Sequence, residues 1–178
     1  PPRKRGLTWS VVESIPVHED IKLGKTTRDE WIEKYKQSVQ NVGWVGINTI
    51  CYNFMPVVDW TRTNLDLELE DGARALAFDF PDFVAFDVFI LTRKNAEKEY
   101  SEELIETAKE RLESMSHERR YILQKNIIAG LPGGQEGYTL EQFQQKLDEY
   151  KNITKEIYRE NLGYFLKAII PVAEASGV

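Results

Sequence analysis

One cysteine, Cys51, stands alone in 178 residues, so no disulfide can form within the chain, and a reducing compartment such as the cytoplasm is expected. No second Cys or His lies at metal-ligand spacing from it, and Cys51 reads as a small buried hydrophobe. Long apolar runs are missing too. None approaches the roughly 20 residues of a membrane-spanning helix, and Pro1-Pro2-Arg3-Lys4-Arg5 leads into no signal-peptide apolar core, so no membrane partner is expected. Positive charge is in deficit: 23 Lys and Arg against 29 Asp and Glu give a net charge of −6, which argues against nucleic-acid backbone binding. The glycine-rich stretch 131–137 lacks the Lys-Ser/Thr of a phosphate-binding loop. No Ser-His-Asp or Cys-His constellation is recognisable. What remains is a soluble globular protein, 42% hydrophobic and long enough for one sizeable core in a single domain.

Residues 7–15, rich in β-branched and aromatic side chains, read as a strand ending by Pro16. Thr27-Arg28-Asp29-Glu30 matches a capping box, and Trp31, Tyr35, Val39 and Val42 follow at helical spacing to Gly43, giving a helix over 28–43. Residues 46–54 form a second strand. Strand, helix and strand in this order are the βαβ unit of a parallel sheet. Leu65, Leu67 and Leu69 alternate with acids, Asp71-Gly72 is a turn signal, and Leu76, Phe78 and Phe80 alternate beyond it, so 65–80 reads as a hairpin. Helices are expected over 82–91, 101–115, 117–129, 139–150 and 155–176, with Ser101, Ser116 and the Thr139–Gln142 box as starts and a kink at Pro171. Gly177-Val178 repeats the Gly-plus-apolar openings at Gly6-Leu7 and Gly46-Ile47, as though a third strand were starting. Two core strands are too few for so many apolar helix faces, and a (β/α)8 barrel takes roughly 250 residues. The expected fold is therefore a partial TIM-type barrel of the α/β class. A small α+β domain is the plainer alternative.

Working residues of parallel α/β folds sit at the carboxyl ends of strands. That rule selects Glu13 and His18 after the first strand, and Asn53, Asp59, Trp60 and Arg62 after the second. Carboxylates, amides and a guanidinium with Trp beside them suit a polyol or sugar ligand. On the second strand Thr49, Cys51 and Asn53 share one face, and Ile50, Tyr52 and Phe54 the other. Duller readings stand beside these. His18 is a loop or structural histidine more often than a ligand, His117 belongs to the surface, and 59–62 is a turn with an internal ion pair.

At these segments the chain resembles the mannonate dehydratases. The resemblance is carried by Trp9-Ser-Val-Val-Glu-Ser-Ile-Pro-Val-His-Glu-Asp-Ile21 and Cys51-Tyr-Asn-Phe-Met-Pro-Val-Val-Asp-Trp-Thr-Arg-Thr63, and by helical stretches around Asn126–Gly133, Glu136–Thr139 and Phe165–Ala173. It implies loss of water from D-mannonate to give 2-keto-3-deoxy-D-gluconate in hexuronate breakdown, by a cytoplasmic homo-oligomer on a xylose-isomerase-like barrel. It implies a divalent metal, Mn2+ or Fe2+, which would acidify the proton beside the carboxylate while an acid assists departure of the neighbouring hydroxyl. The family's two histidines, cysteine and aspartate that bind metal belong to later strands. Neither Cys51 nor His18 matches them, so no metal ligand, catalytic acid or catalytic base is carried over. The chain is expected to supply substrate wall and support, and to be inactive alone. The alternatives are a related barrel isomerase or epimerase, or a non-catalytic binding or assembly segment.

Overall fold

The computed structural model describes residues 6–58, 60–129 and 138–178. Seven α-helices are found among them: α1 (Glu19–Lys22), α2 (Arg28–Trp44), α3 (Phe80–Ala85), α4 (Glu102–Ser114), α5 (His117–Ile128), α6 (Leu140–Tyr150) and α7 (Lys155–Ala175). Strands β1 (Asn64–Glu68) and β2 (Arg74–Ala77) form an antiparallel pair. Where one domain is expected, the chain divides into two compact units, residues 1–56 with 149–178, and residues 57–148. The excursion after residue 56 carries enough apolar side chains to close a core of its own.

In the first unit, the strands expected at 7–15 and 46–54 are extended segments joined by a single parallel bridge, Val12 to Ile50. Val12 N–H donates to the Thr49 carbonyl at 3.0 Å, and Cys51 N–H donates to the Val12 carbonyl at 2.9 Å. The parallel pairing is there, but no regular ladder grows from it. Parallel strands draw their stability from neighbours on both sides, and among the described residues these two have only each other.

Helix α2 buries Ile32, Tyr35 and Val39 at helical spacing, and α7 buries Phe165 and Ile169 against them, with Val17 and Ile21 completing the core. The Tyr35 and Phe165 rings meet edge to face at 4.9 Å. Ile157 and Ile170 of α7 are 38% and 48% exposed. Gly43 does not end α2. The helix continues to Trp44, and Gly46, at φ +81°, takes the left-handed turn instead. At Gly43 an added Cβ would run into the Ser176 carbonyl oxygen and lie 2.9 Å from the Ser176 Cβ. This glycine lets the end of α7 pass close to α2. The capping box at Thr27 is also absent. The Thr27 hydroxyl makes no cap and donates to Asp20 Oδ2 at 2.7 Å. Helix α7 runs through Pro171.

In the second unit, Asp71 accepts from Ala73 N–H and Gly72 N–H donates to the Leu69 carbonyl, closing the hairpin between β1 and β2. Asp79 caps α3, and the chain then widens into a π-helical turn at Phe86–Ile90, where Leu91 N–H donates to the Phe86 carbonyl at 2.7 Å. Ser101 and Ser116 cap α4 and α5 as their positions predict. At α6 the reciprocal box is formed: Thr139 N–H donates to Gln142 Oε1 at 2.9 Å and Gln142 N–H to Thr139 Oγ1 at 3.2 Å. Phe86, Leu91, Leu123, Ile127, Ile128 and Phe143 form the core, and Val84, Ala85 and Ala108 a smaller one. The glycine-rich stretch 131–137 lies outside the described residues.

Candidate functional site

Three of the six candidate residues, Glu13, His18 and Asn53, belong to the first unit. Glu13 is exposed at the end of the first extended segment. Beside it, the Ser14 hydroxyl accepts from Asn53 Nδ2 at 3.4 Å, a long bond that ties the ends of the two bridged segments together. The face assignment of the second segment holds in part, since Tyr52, placed on the face of Ile50 and Phe54, is 43% exposed. Ile50 and Phe54 pack on the core while Thr49 and Cys51 are exposed, so Cys51 is not the buried hydrophobe expected. The Phe54 carbonyl, next to Asn53, accepts from the Tyr158 hydroxyl at 2.8 Å and is fixed by it.

His18 is the N-cap of α1, a helix the sequence reading missed because four residues are too few to show a period. Its Nδ1 accepts from Asp20 N–H at 3.1 Å, and its ring stacks on Trp31 at 3.6 Å between centroids and 5° between planes. An Nδ1 that accepts leaves Nε2 as the N–H donor of a neutral ring. Burial lowers the His18 pKa below its usual 6.5, against the opposing pull of Asp20 and Glu19.

Trp60 and Arg62 belong to the second unit. Trp60 is 59% exposed with φ +45°, and its carbonyl accepts from Arg62 Nη1 at 2.8 Å. A positive φ on so bulky a residue is uncommon and needs surrounding structure to hold it. Asp59 lies outside the described residues, and with it the ion pair expected in this turn.

Sequence reasoning passed over several polar clusters. In the first unit Glu19 accepts from Tyr150 and from the buried Lys22, the latter at 2.6 Å. Burial and then the Glu19 carboxylate push the Tyr150 phenol well above its ordinary pKa. In the second unit Arg93 holds the buried Asp87 through two bonds of 2.8 and 2.7 Å and reaches Glu99, while the Tyr100 hydroxyl donates to Asp87 at 2.7 Å. Burial and then this bond raise the Tyr100 pKa to about 12. Buried Asp82 faces Arg119 at 3.2 Å and Arg111 at 3.6 Å. Glu19 and Lys22, and Asp87 and Arg93, are near in sequence, but the Tyr150 and Arg119 partners are distant, and one sequence does not reveal that proximity.

An open cleft of about 290 Å³ lies in the first unit between Tyr35, Val39, Ile50, Tyr52, Phe165 and Ile169. Its walls are mainly apolar, which suits a packed chain segment better than a polyol, so the strand-end residues remain the better candidates. Among the described residues no group of three or more His, Cys, Asp or Glu could hold a metal ion. The divalent metal implied by the resemblance does not fit these residues. No helix of the described residues is long and apolar enough to cross a membrane.

Residues 3–178 match the profile of the D-mannonate dehydratase (UxuA) family. A mannonate dehydratase of Marinomonas sp. (strain MWYL1) is 56% identical over 172 residues, covering 97% of this chain and 44% of the relative. The mannonate dehydratase of Saccharophagus degradans is 50% identical, with the same coverage. Thus the chain spans less than half the length of these relatives. Among solved structures, mannonate dehydratase from Streptococcus suis serotype 2 superposes with a TM-score of 0.61 at 36% identity, covering 99% of this chain and 36% of that one.

Proposed function

Since the chain belongs to the D-mannonate dehydratase (UxuA) family, we propose that it is the amino-terminal part of an enzyme that removes water from D-mannonate, yielding 2-keto-3-deoxy-D-gluconate. The observation that carries the reading is the extent of the match, which runs from residue 3 to residue 178 and takes in both strand-end segments. In that reaction the carbon beside the carboxylate loses its proton, the next carbon loses its hydroxyl as water, and the resulting enol takes up a proton to become the ketone. The parallel bridge at Val12 and Ile50, followed by α7, supports a partial TIM barrel as the scaffold.

The residues of this chain bind and orient, and they are given no proton-transfer role. Glu13 and Asn53 offer a carboxylate and an amide to sugar hydroxyls, and His18 presents an Nε2–H donor fixed by its cap and its stack on Trp31. Arg62 offers a guanidinium suited to a carboxylate, Trp60 an exposed ring for an apolar sugar face, and Asp59 a further hydroxyl partner. The complete enzyme would use Mn2+ or Fe2+, held by residues outside this segment. It would work in the cytoplasm, which the free, exposed Cys51 fits, and it would self-associate.

The test is product analysis. A chain extended to the relatives' length, given D-mannonate with manganous or ferrous ion, should release a 2-keto-3-deoxy acid one water lighter than substrate. Residues 1–178 alone should release none. An isomeric sugar acid of unchanged mass would overturn the dehydratase reading.

A further inference from the structure

The second extended segment is paired as far as Cys51 and then loses its partner. Its last bond to the first segment runs from Cys51 N–H to the Val12 carbonyl. Among the described residues, the backbone of 52–56 takes part in one hydrogen bond, in which the Phe54 carbonyl accepts from the Tyr158 hydroxyl at 2.8 Å. Asn53 comes immediately before. The bond from its side chain to Ser14 Oγ, at 3.4 Å, is too long to hold the amide firmly. Where that amide stands is therefore set by the backbone it hangs from, and the backbone is pinned one residue on. The pin itself is well supported. Tyr158 lies in the first turn of α7, where the Thr154 hydroxyl accepts from Ile157 N–H at 3.3 Å and the Thr154 carbonyl from Tyr158 N–H at 2.9 Å. Its ring centroid is 5.1 Å from that of Phe54 and 6.2 Å from that of Tyr150. A phenylalanine would serve that packing equally well. The hydroxyl adds a directed bond to one atom of the strand end, which ring packing cannot supply.

We propose that Tyr158 is a positioning residue, whose hydroxyl, bonded to the Phe54 carbonyl, holds Asn53 where its amide meets a sugar hydroxyl. The proposal rests on the dehydratase reading and on Asn53 as part of the substrate wall. Tyr158 is given no contact with substrate and no proton to move. It acts through the strand end. Without its hydroxyl the backbone beyond Cys51 is free to sample other arrangements, and substrate must then order Asn53 as it binds. That ordering is subtracted from the binding energy, so the loss appears in substrate affinity before it appears in the chemical step.

The test is a double-substitution cycle in the chain extended to the relatives' length, assayed with D-mannonate and manganous or ferrous ion: Tyr158→Phe, Asn53→Ala and the two together. Tyr158→Phe keeps the ring and is expected to raise KM by roughly 3- to 10-fold, the worth of one hydrogen bond, with kcat within about twofold of wild type. A merely structural defect would lower the share of folded enzyme, which reduces kcat and leaves KM where it was. In the Asn53→Ala background, Tyr158→Phe is expected to change KM by less than about twofold, because the side chain it positions is gone. An unchanged KM in Tyr158→Phe, or the same rise in KM with and without Asn53, overturns the positioning role and leaves the dehydratase reading standing. A wild type that yields no 2-keto-3-deoxy acid overturns both.

Discussion

His18 shows what one residue does when its neighbours are fixed. A lone histidine after a strand reads as a ligand or as a loop residue, and it is a helix cap stacked on Trp31. The cap needs an unprotonated Nδ1, and burial favours that neutral form. The unfolded chain therefore takes up a proton first as pH falls below 6.5, and this group's share of stability declines from there down through its lowered folded pKa. Urea midpoints at pH 7.5 and 5.5 should show a larger loss for the wild type than for His18→Asn, which keeps a capping oxygen without titrating. Equal losses would remove the role given to His18. At the Asp87 site, Arg93→Met strips the buried carboxylate of its cation and should cost about 3–5 kcal/mol by chemical denaturation. Asp87→Asn with Arg93→Met should recover most of that, because no charge is then left buried alone. Neither arrangement is legible in sequence. His18 meets Trp31, and Asp87 meets Arg93, through tertiary geometry that no spacing announces. Cys51 misleads for the same reason, since its exposure depends on which face of the second segment the helices cover.

Among elements, the longer helices and the hairpin were legible because their signals are local. Caps at Ser101, Ser116 and Thr139 and the Asp71-Gly72 turn are chemistry within a few residues of chain. The strands at 7–15 and 46–54 were less so, because a parallel ladder is set by neighbours a sequence window does not contain. Gly43 is instructive. Its position near a helix end reads as a stop, yet α2 continues and the glycine serves the close approach of Ser176. Gly43→Ala gains up to about 1 kcal/mol of helix propensity, but the obstructing atom is backbone and cannot swing away. A net loss of about 1–3 kcal/mol is expected from urea unfolding, and a stabilised protein would contradict the packing described. In α7, Pro171 is exposed and its ring leaves the Lys167 carbonyl without the usual helical donor. Pro171→Ala should raise the thermal midpoint, by an amount worth about 1–3 kcal/mol; an unchanged or lower midpoint would mean that the proline is matched to a bend the packing needs.

For the whole molecule, family membership was readable from two strand-end segments, while the division into two compact units was not. The first depends on residue identity along two long contiguous segments, the second on how a long excursion closes its own core. The candidate residues were legible only as positions. The structure adds the Asn53–Ser14 tie, the fixed ring of His18 and the turn at Trp60, and it gives no donor set for a metal among the described residues. The measurement that tests the account most directly is D-mannonate dehydration by a chain extended to the relatives' length, wild type beside Asn53→Ala, with thermal midpoints as the control for folding. The account predicts a 2-keto-3-deoxy acid from the wild type, and kcat/KM lower by roughly 10- to 100-fold in Asn53→Ala at a similar midpoint, as expected for one lost polar contact. Equal kcat/KM in the two proteins, or no keto acid from the wild type with either manganous or ferrous ion, would contradict it.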